Sequence, residues 1–176
     1  MIPPKRRDER MRKFPMVLFG ALLVAAAWRV SLLAGSLPAM VAVHFNAAGR
    51  PDGFTSREDC RQFMRAFTLG APVFVVLVTA LLPRLIPHSM INIPNRGYWL
   101  APERADDTVD FLSAQGIWFG CILLVFLAFV DELLVRANAA TPPAFPTGAL
   151  MGSMALLFAA IGVWGVRMIW CFRRPD

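Results

Sequence analysis

Five side chains that could bind a ligand or transfer a proton lie close together near the start of the chain. They are His44, Asn46, Asp52, Glu58 and Asp59, and they fall within sixteen residues. An imidazole and several carboxylates can coordinate a metal ion or act as a general acid and base. A metal site here would contain a single histidine, because no HxH or HxxxH spacing supplies a second one.

The polar stretch 46–53, NAAGRPDG, has the composition of a turn. The order Pro-Asp-Gly at its end predicts a tight turn in which Gly53 takes a positive φ. We expect His44 and Asn46 to bond the backbone of this turn rather than a metal ion, which predicts no catalytic residue, no metal and no cofactor. A ligand or partner site at the same residues is the alternative, since binding residues are frequent on rigid surface loops.

A short strand and a helix must hold this turn. The β-prone run Met40–Phe45 precedes it. After it, Thr55 with Glu58, or Ser56 with Asp59, has the spacing of a capping box and predicts a helix start. One stripe of that helix carries arginines at intervals of four, and this stripe either faces lipid phosphates or is simply solvated. The stripe consists of Arg57, Arg61 and Arg65.

The rest of the chain is too apolar for a soluble domain. Its mean hydropathy is +0.54 and 17% of its residues are charged, against roughly 25% in ordinary globular proteins. A bilayer core about 30 Å thick needs about 20 apolar residues as helix. The apolar runs lack the polar face of a soluble bundle and predict an all-α membrane protein with four spans. The predicted spans lie near 14–34, 66–83, 111–134 and 148–170.

The positive charges predict an orientation rather than a nucleic-acid partner. The net charge is +6, and cytoplasmic segments carry the Lys/Arg excess. With both termini inside, eleven Lys and Arg lie on the inner side and five on the outer side. The chain then divides into a basic tail, 1–13, and one membrane domain, 14–176. The domain has outer loops at 35–65 and 135–147 and an inner loop at 83–110.

The first span also resembles a signal peptide, because a basic region precedes an apolar one. No clean small-residue cleavage site follows, and Arg29 interrupts the apolar run. We therefore expect an uncleaved anchor in which Arg29 extends to the headgroups. The three cysteines form no framework, and Cys60, in the outer loop, is expected to react with a membrane-impermeant thiol reagent.

Small residues predict where helices pack. GxxxG pairs occur at Gly116 and Gly120 and at Gly148 and Gly152. These two pairs are expected at different depths, so Gly162 and Gly165 would meet the first pair. A homo-oligomer assembled through such faces remains open.

The spans lack the groups that an intramembrane enzyme or a monomeric transporter needs. No Asp, Glu or His lies centrally in a span, and no triad or HExxH motif occurs. Asp131 and Glu132 are expected at the outer edge of the third span. A transporter needs a polar path and usually repeated halves, which four spans with one buried glutamine do not supply.

Two stretches of the chain are distinctive: LPAMVAVHFNAAGRPDGFTSRED and NIPNRGYWL, Asn92–Leu100. Together they resemble a bacterial membrane-protein family of unknown function that also forms the N-terminal domain of SdpI-type toxin-immunity proteins. The resemblance implies the fold of the first three spans. Our own hypothesis is that the two loops carry binding residues. In the outer loop these are His44, Asn46, Gly49, Pro51, Asp52, Gly53 and Arg57, and in the inner loop Asn92, Pro94, Asn95, Tyr98 and Trp99.

SdpI-type proteins carry a second membrane module, and this chain is expected to lack it. The expected function is therefore that of an integral cytoplasmic-membrane protein of accessory, immunity or signalling type. Its outer loop would recognise a membrane or secreted protein, a peptide or a lipid. The alternatives are an oligomeric transport or channel subunit and, third, a metal-dependent membrane enzyme using His44.

Overall fold

The computed structural model describes residues 9–173, with side chains from residue 13 onward. Most of the basic tail lies outside these residues, although the first helix already begins at Glu9. Six α-helices and one two-stranded sheet are described: α1 (Glu9–Ser36), β1 (Met40–Phe45), β2 (Pro51–Ser56), α2 (Arg57–Val76), α3 (Leu82–Leu85), α4 (Arg96–Trp99), α5 (Ala105–Ala139) and α6 (Thr147–Arg173). A π-helical stretch, Leu77–Leu81, joins α2 to α3, and a 3₁₀ turn, His88–Met90, precedes α4.

The prediction of four membrane-spanning helices is confirmed. Among the described residues, four helical stretches are long and apolar enough to cross a bilayer: Lys13–Ser36, Arg57–Leu85, Ala105–Ala139 and Thr147–Arg173. Each extends beyond the predicted apolar run, because polar residues continue the helix at its ends. The largest extension is at Arg57, where the arginine-bearing helix runs on into the second span without a break.

The predicted strand is confirmed, and a second strand follows it. β1 pairs with β2 in antiparallel fashion, with Val41 opposite Thr55 and His44 opposite Gly53. The prediction of a Pro-Asp-Gly turn is therefore wrong. Pro51 begins β2, and the left-handed glycine is Gly49, with φ +74°.

The start of α2 follows the second of the two predicted caps. Asp59 N donates to Ser56 Oγ at 3.1 Å, and Ser56 Oγ donates to Asp59 Oδ2 at 2.6 Å. This reciprocal arrangement satisfies one of the amides that a helix N-terminus leaves without a partner. Arg57 N also donates to Ala39 O at 3.0 Å, so the helix start is joined to the residue before β1.

The chain forms two compact units, and each of the four long helices contributes to both. The hairpin unit contains Ala21–Pro72 and Ile122–Leu157. The π-helix unit contains Val73–Cys121, the part of α1 up to Gly20, and α6 from Phe158 onward.

The core of the hairpin unit lies where α1, β1 and α2 meet. Its buried members are Val30, Leu33, Leu37, Val41, Cys60 and Met64. Cys60 is only 3% exposed, which argues against the expected reaction with a membrane-impermeant thiol reagent. The thiol serves as a small apolar group in this core.

Candidate functional site

The hairpin turn is organised by one side chain. Asn46 Oδ1 accepts hydrogen bonds from Ala48 N at 2.9 Å and from Arg50 N at 3.1 Å. The Asn46 backbone carbonyl also accepts a hydrogen bond from Gly49 N, and Asn46 N donates to Arg50 O. The expectation that Asn46 bonds the turn backbone is confirmed, because an asparagine side chain reaches backbone amides two to four residues ahead.

His44 makes a different contact from the expected one. Its Nδ1 lies against the carboxylate of Asp52 on the neighbouring strand, rather than against backbone. The two side chains are 75% and 43% exposed, so water screens their interaction and it contributes little to stability. The pair instead places an imidazole and a carboxylate together on the open face of the hairpin.

Gly53 lies directly beneath His44. A Cβ built at Gly53 would approach the His44 Cβ to 2.8 Å. Glycine is therefore required at this position by close approach to the partner strand rather than by backbone conformation.

An amide on α5 holds the edge of the hairpin. Asn138 Oδ1 accepts from Ala42 N at 2.8 Å, and Asn138 Nδ2 donates to Ala42 O at 2.9 Å. The same Nδ2 also donates to Leu134 O within α5. Ala42 is fully buried, so the asparagine supplies both partners that a third strand would otherwise provide.

The α5–α6 loop holds the turn itself. Phe145 N donates to Gly49 O at 3.0 Å, and the Phe145 ring lies 5.1 Å from the Phe45 ring, centroid to centroid. At the other end of the hairpin, Arg57 Nε donates to Pro38 O at 3.3 Å. The hairpin is thus fixed at its turn, along one edge and at its base.

Large apolar side chains remain exposed on this fixed hairpin. Met40, Val43 and Phe54 are between 42% and 59% exposed. Pro51 is partly buried opposite Phe45. Exposed apolar side chains therefore accompany the His44–Asp52 pair on the hairpin, and exposed apolar patches mark sites that contact other proteins or the membrane.

The second predicted binding segment lies in the π-helix unit, where it closes the end of α6. Asn95 Nδ2 donates to Phe172 O and to Arg173 O, both at 2.8 Å. Trp99 Nε1 donates to Phe172 O at 3.1 Å, and the two rings meet edge to face. The last carbonyls of a helix have no intrahelical partner, and these side chains supply one. Asn95 adopts φ +53°, a conformation that asparagine tolerates better than most residues.

Tyr98 and Arg104 form a neighbouring contact. The Arg104 guanidinium carbon lies 4.1 Å from the centre of the Tyr98 ring, and Arg104 Nε donates to Tyr98 O at 3.0 Å. Pro94 and Asn92 are exposed. This segment therefore combines a structural part, Asn95–Trp99, with exposed residues that precede it.

The glycines of α5 and α6 have different surroundings. A Cβ at Gly116 would lie 2.8 Å from Thr79 Cβ, so the π-helical stretch packs closely against α5. Gly120 is buried. Apart from the neighbouring backbone of α6 itself, no described atom lies within 4 Å of a Cβ built at Gly148, Gly152, Gly162 or Gly165. The expected contact of Gly162 and Gly165 with the α5 glycines is therefore not formed.

Asp131 lies deeper than its sequence position indicated. Asp131 is only 7% exposed, and its Oδ2 accepts a hydrogen bond from Thr68 Oγ1 at 2.7 Å. Glu132, by contrast, bonds two arginines, Arg29 at 2.6 Å and Arg136 at 3.0 Å. Of these two adjacent residues on α5, Asp131 is buried within the hairpin unit and Glu132 belongs to an ion-pair cluster.

Within residues 13–173, no group of three or more His, Cys, Asp or Glu side chains could hold a metal ion. His44 and Asp52 are two such groups, but no third is placed with them. Among the other predicted hairpin residues, Asn46 organises the turn, Gly53 allows close approach to His44, and Arg57 joins the base of the hairpin.

The comparisons with known proteins concern the same part of the chain. Residues 17–59 match the family described as domain of unknown function (DUF1648). The match contains most of α1, the whole hairpin and the cap of α2. It supports the resemblance to a membrane-protein family of unknown function, whereas the relation to SdpI-type proteins stays an expectation.

A relative from Archaeoglobus fulgidus, named uncharacterized protein, is 33% identical over 94 residues. The aligned part covers 45% of this chain and 51% of the relative. The chain therefore spans about half the length of the curated relative it matches. No solved structure matches the chain.

Three residues that shape this site were not found by sequence reasoning. Asn138 and Phe145 act on β1 and the turn from about a hundred residues away along the chain. Asp131 was expected at a surface. The signal for Asn138 was an amide in the last turn of α5, which either caps that helix or contacts another segment.

Proposed function

We propose that this integral membrane protein binds a protein or peptide partner through the hairpin surface, which consists of Met40, Val43, His44, Asp52 and Phe54. The observation that carries the proposal is that the hairpin is held by Asn138, Phe145 and Arg57. Met40, Val43 and Phe54 nevertheless remain exposed on it. Holding a surface rigid before binding reduces the entropy lost on association.

The role that fits such a surface is accessory, in immunity or signalling, in a bacterial cytoplasmic membrane. The charge distribution supports an orientation with both ends inside and the hairpin outside, where a secreted or membrane-bound partner would meet it. The match to a family of unknown function includes the whole hairpin, which is consistent with a role for this element.

Orientation is tested with cysteines placed where the structure is exposed. In a variant with all three native cysteines replaced by alanine, Ala47→Cys reports on the hairpin turn and Ser89→Cys on the segment before α4. We expect an impermeant maleimide to label the Ala47 variant in intact cells and the Ser89 variant only after permeabilisation. The reverse pattern would overturn the orientation.

Partner binding is tested by photo-crosslinking in cells. A benzoylphenylalanine at Phe54 or Val43 is expected to capture one discrete protein or peptide, and Asn46→Ala, which removes the turn bonds, is expected to reduce the yield. The matched control is the same probe at Leu85, which is 78% exposed but lies outside the hairpin unit. Equal capture at Leu85 and Phe54 would reject the hairpin as the binding surface.

A second function, an oligomeric transport or channel subunit, is favoured by one observation. None of the most apolar window of α6 is buried within the described chain, and its glycines have open space beside them. Glycine faces allow close approach of membrane helices. Crosslinking of two copies through Gly152→Cys tests this assembly, and Met154→Cys, on the opposite side of the same helix, is the control.

A further inference from the structure

A cavity of about 480 Å³ lies within the π-helix unit. Its walls come from the π-helical stretch and α3, from residues 86–93, from α5 and from α6. The volume lies in the range of about 300–1,000 Å³ that small-molecule sites occupy. The cavity shares no residue with the hairpin surface.

The cavity is built around an irregular helix. A π-helical turn holds an extra residue and is frequent at functional sites. Here it is fixed by α5, because Ser113 Oγ donates to Ala80 O at 2.8 Å and Gly116 lets Thr79 approach closely. Residues 86–93, which follow α3, form another wall rather than continuing the helix.

The lining is apolar with two amides. No Asp, Glu, Lys, Arg or His occurs among the described residues that line the cavity. Gln115 Oε1 accepts from Trp164 Nε1 at 3.1 Å, and no described residue accepts from the Gln115 amide nitrogen. Asn92 forms no hydrogen bond with a described residue. The walls therefore offer hydrogen-bond donors without charge.

The cavity is continuous with the apolar outer surface. Val78, Leu82 and Met90 line it and are also 40%, 46% and 67% exposed. Three of its four walls include residues of the helices that are long and apolar enough to cross a bilayer. Where a bilayer surrounds these helices, lipid chains are the molecules that reach an apolar opening between them.

We propose that the cavity binds one acyl chain of a membrane glycerolipid, with the ester carbonyl accepting a hydrogen bond from Gln115 or Asn92. An ester is neutral and carries acceptors, which matches a wall that has donors and no charge. A free fatty acid would bring a carboxylate to a wall without a cation, which is unfavourable. This assignment does not depend on the partner proposed for the hairpin.

The test uses tryptophan quenching by a brominated lipid, because Trp164 lines the cavity and Trp170, on the same helix, is 74% exposed. Purified protein in maltoside micelles is titrated with dibromostearoyl phosphatidylcholine. Subtracting the fluorescence of the Trp164→Phe or Trp170→Phe variant from that of the unsubstituted protein gives the share of the quenching that is due to the replaced tryptophan. We expect the Trp164 share to saturate at a low lipid-to-detergent ratio and the Trp170 share to rise linearly.

Variants and a second probe identify the site. Ile93→Phe and Leu112→Phe, which fill the cavity, should raise the lipid-to-detergent ratio at half-saturation about tenfold. Gln115→Leu should raise the same ratio about fivefold, as expected for one lost hydrogen bond. Leu156→Phe, on the exposed part of α6, should change nothing. Helix content by circular dichroism confirms that each variant is folded. Linear quenching of Trp164, unchanged binding in all three variants, or equal saturation by dibromostearate would overturn the proposal.

Discussion

The hairpin segment, 37–56, and the connecting segment, 86–104, are each fastened by an asparagine, but in opposite ways. In the first, the asparagine belongs to a helix, and Asn138 bonds both the N–H and the C=O of Ala42. In the second, the asparagine belongs to the segment, and Asn95 donates to the last carbonyls of α6. The first contact needs a donor and an acceptor in one side chain, whereas the second needs donors alone.

This difference separates a segment held as a display surface from one that completes a helix end. The hairpin leaves Met40, Val43 and Phe54 exposed, because the amide bonds only its backbone edge. The connecting segment places Trp99 in the interior, 4% exposed, where its ring contacts Phe172. We therefore expect substitutions to affect the two segments independently.

The largest effect is expected from Asn138→Leu. The substitution leaves the buried N–H and C=O of Ala42 without partners, which should lower the free energy of unfolding by about 2–5 kcal/mol. Hydrogen exchange of the hairpin amides in detergent should accelerate strongly. The control is Asn92→Leu, because Asn92 is exposed and bonds no described residue; equal destabilisation by both variants would contradict the amide contact.

A smaller effect is expected from Gly53→Ala. The added Cβ would meet the His44 Cβ, and such overpacking costs typically about 1–3 kcal/mol. The double variant Gly53→Ala with His44→Gly should recover part of this loss, because it removes the opposing Cβ. Gly49→Ala should gain nothing from His44→Gly, since its strain comes from φ +74°. Thermal unfolding of the four proteins checks this contrast.

Asn95→Gly should cost about 1–2 kcal/mol, because it removes two hydrogen bonds to α6 while tolerating the left-handed backbone. Asn95→Ala should cost about 1 kcal/mol more, owing to strain at positive φ. Chemical unfolding measures both. Hairpin hydrogen exchange should stay unchanged, and acceleration there would contradict the independence of the two segments.

The smallest effect is expected from Arg61→Gln. Arg61 pairs with Glu58 one turn earlier on α2, and both side chains are substantially exposed. Exposed ion pairs contribute about 0–1 kcal/mol. The unfolding temperature should change by no more than about 2–4 °C, whereas a loss comparable to that of Asn138→Leu would show that the arginine stripe supports the hairpin.

The parts that could be predicted depend on local sequence. Apolar length predicted the four helices, β-branched residues predicted Met40–Phe45, and the spacing of Ser56 and Asp59 predicted a cap. Each of these signals lies within the element it describes. The composition of Asn46–Gly53 also predicted a turn, although its left-handed glycine was assigned to the wrong position.

The parts that could not be predicted depend on distant partners. β2 contains proline, aspartate and glycine, which disfavour strands, yet pairing with β1 overrides that preference. Asn138 and Asp131 gave no local sign of what they would contact. The cavity likewise arises from four separate parts of the chain, so it could not be predicted from any single stretch of sequence.

The separation of Ala42 and Asn138 along the chain has a consequence for biosynthesis. The two residues are 96 positions apart, so at about 5–20 residues per second the ribosome needs roughly 5–20 s to deliver the amide after the strand. During that interval the edge of β1 is unpaired while α2 and the first part of α5 are still being made. An isolated two-stranded hairpin is marginal in water, so the newborn hairpin is open to proteases, chaperones or an early-arriving partner until the last turns of α5 emerge.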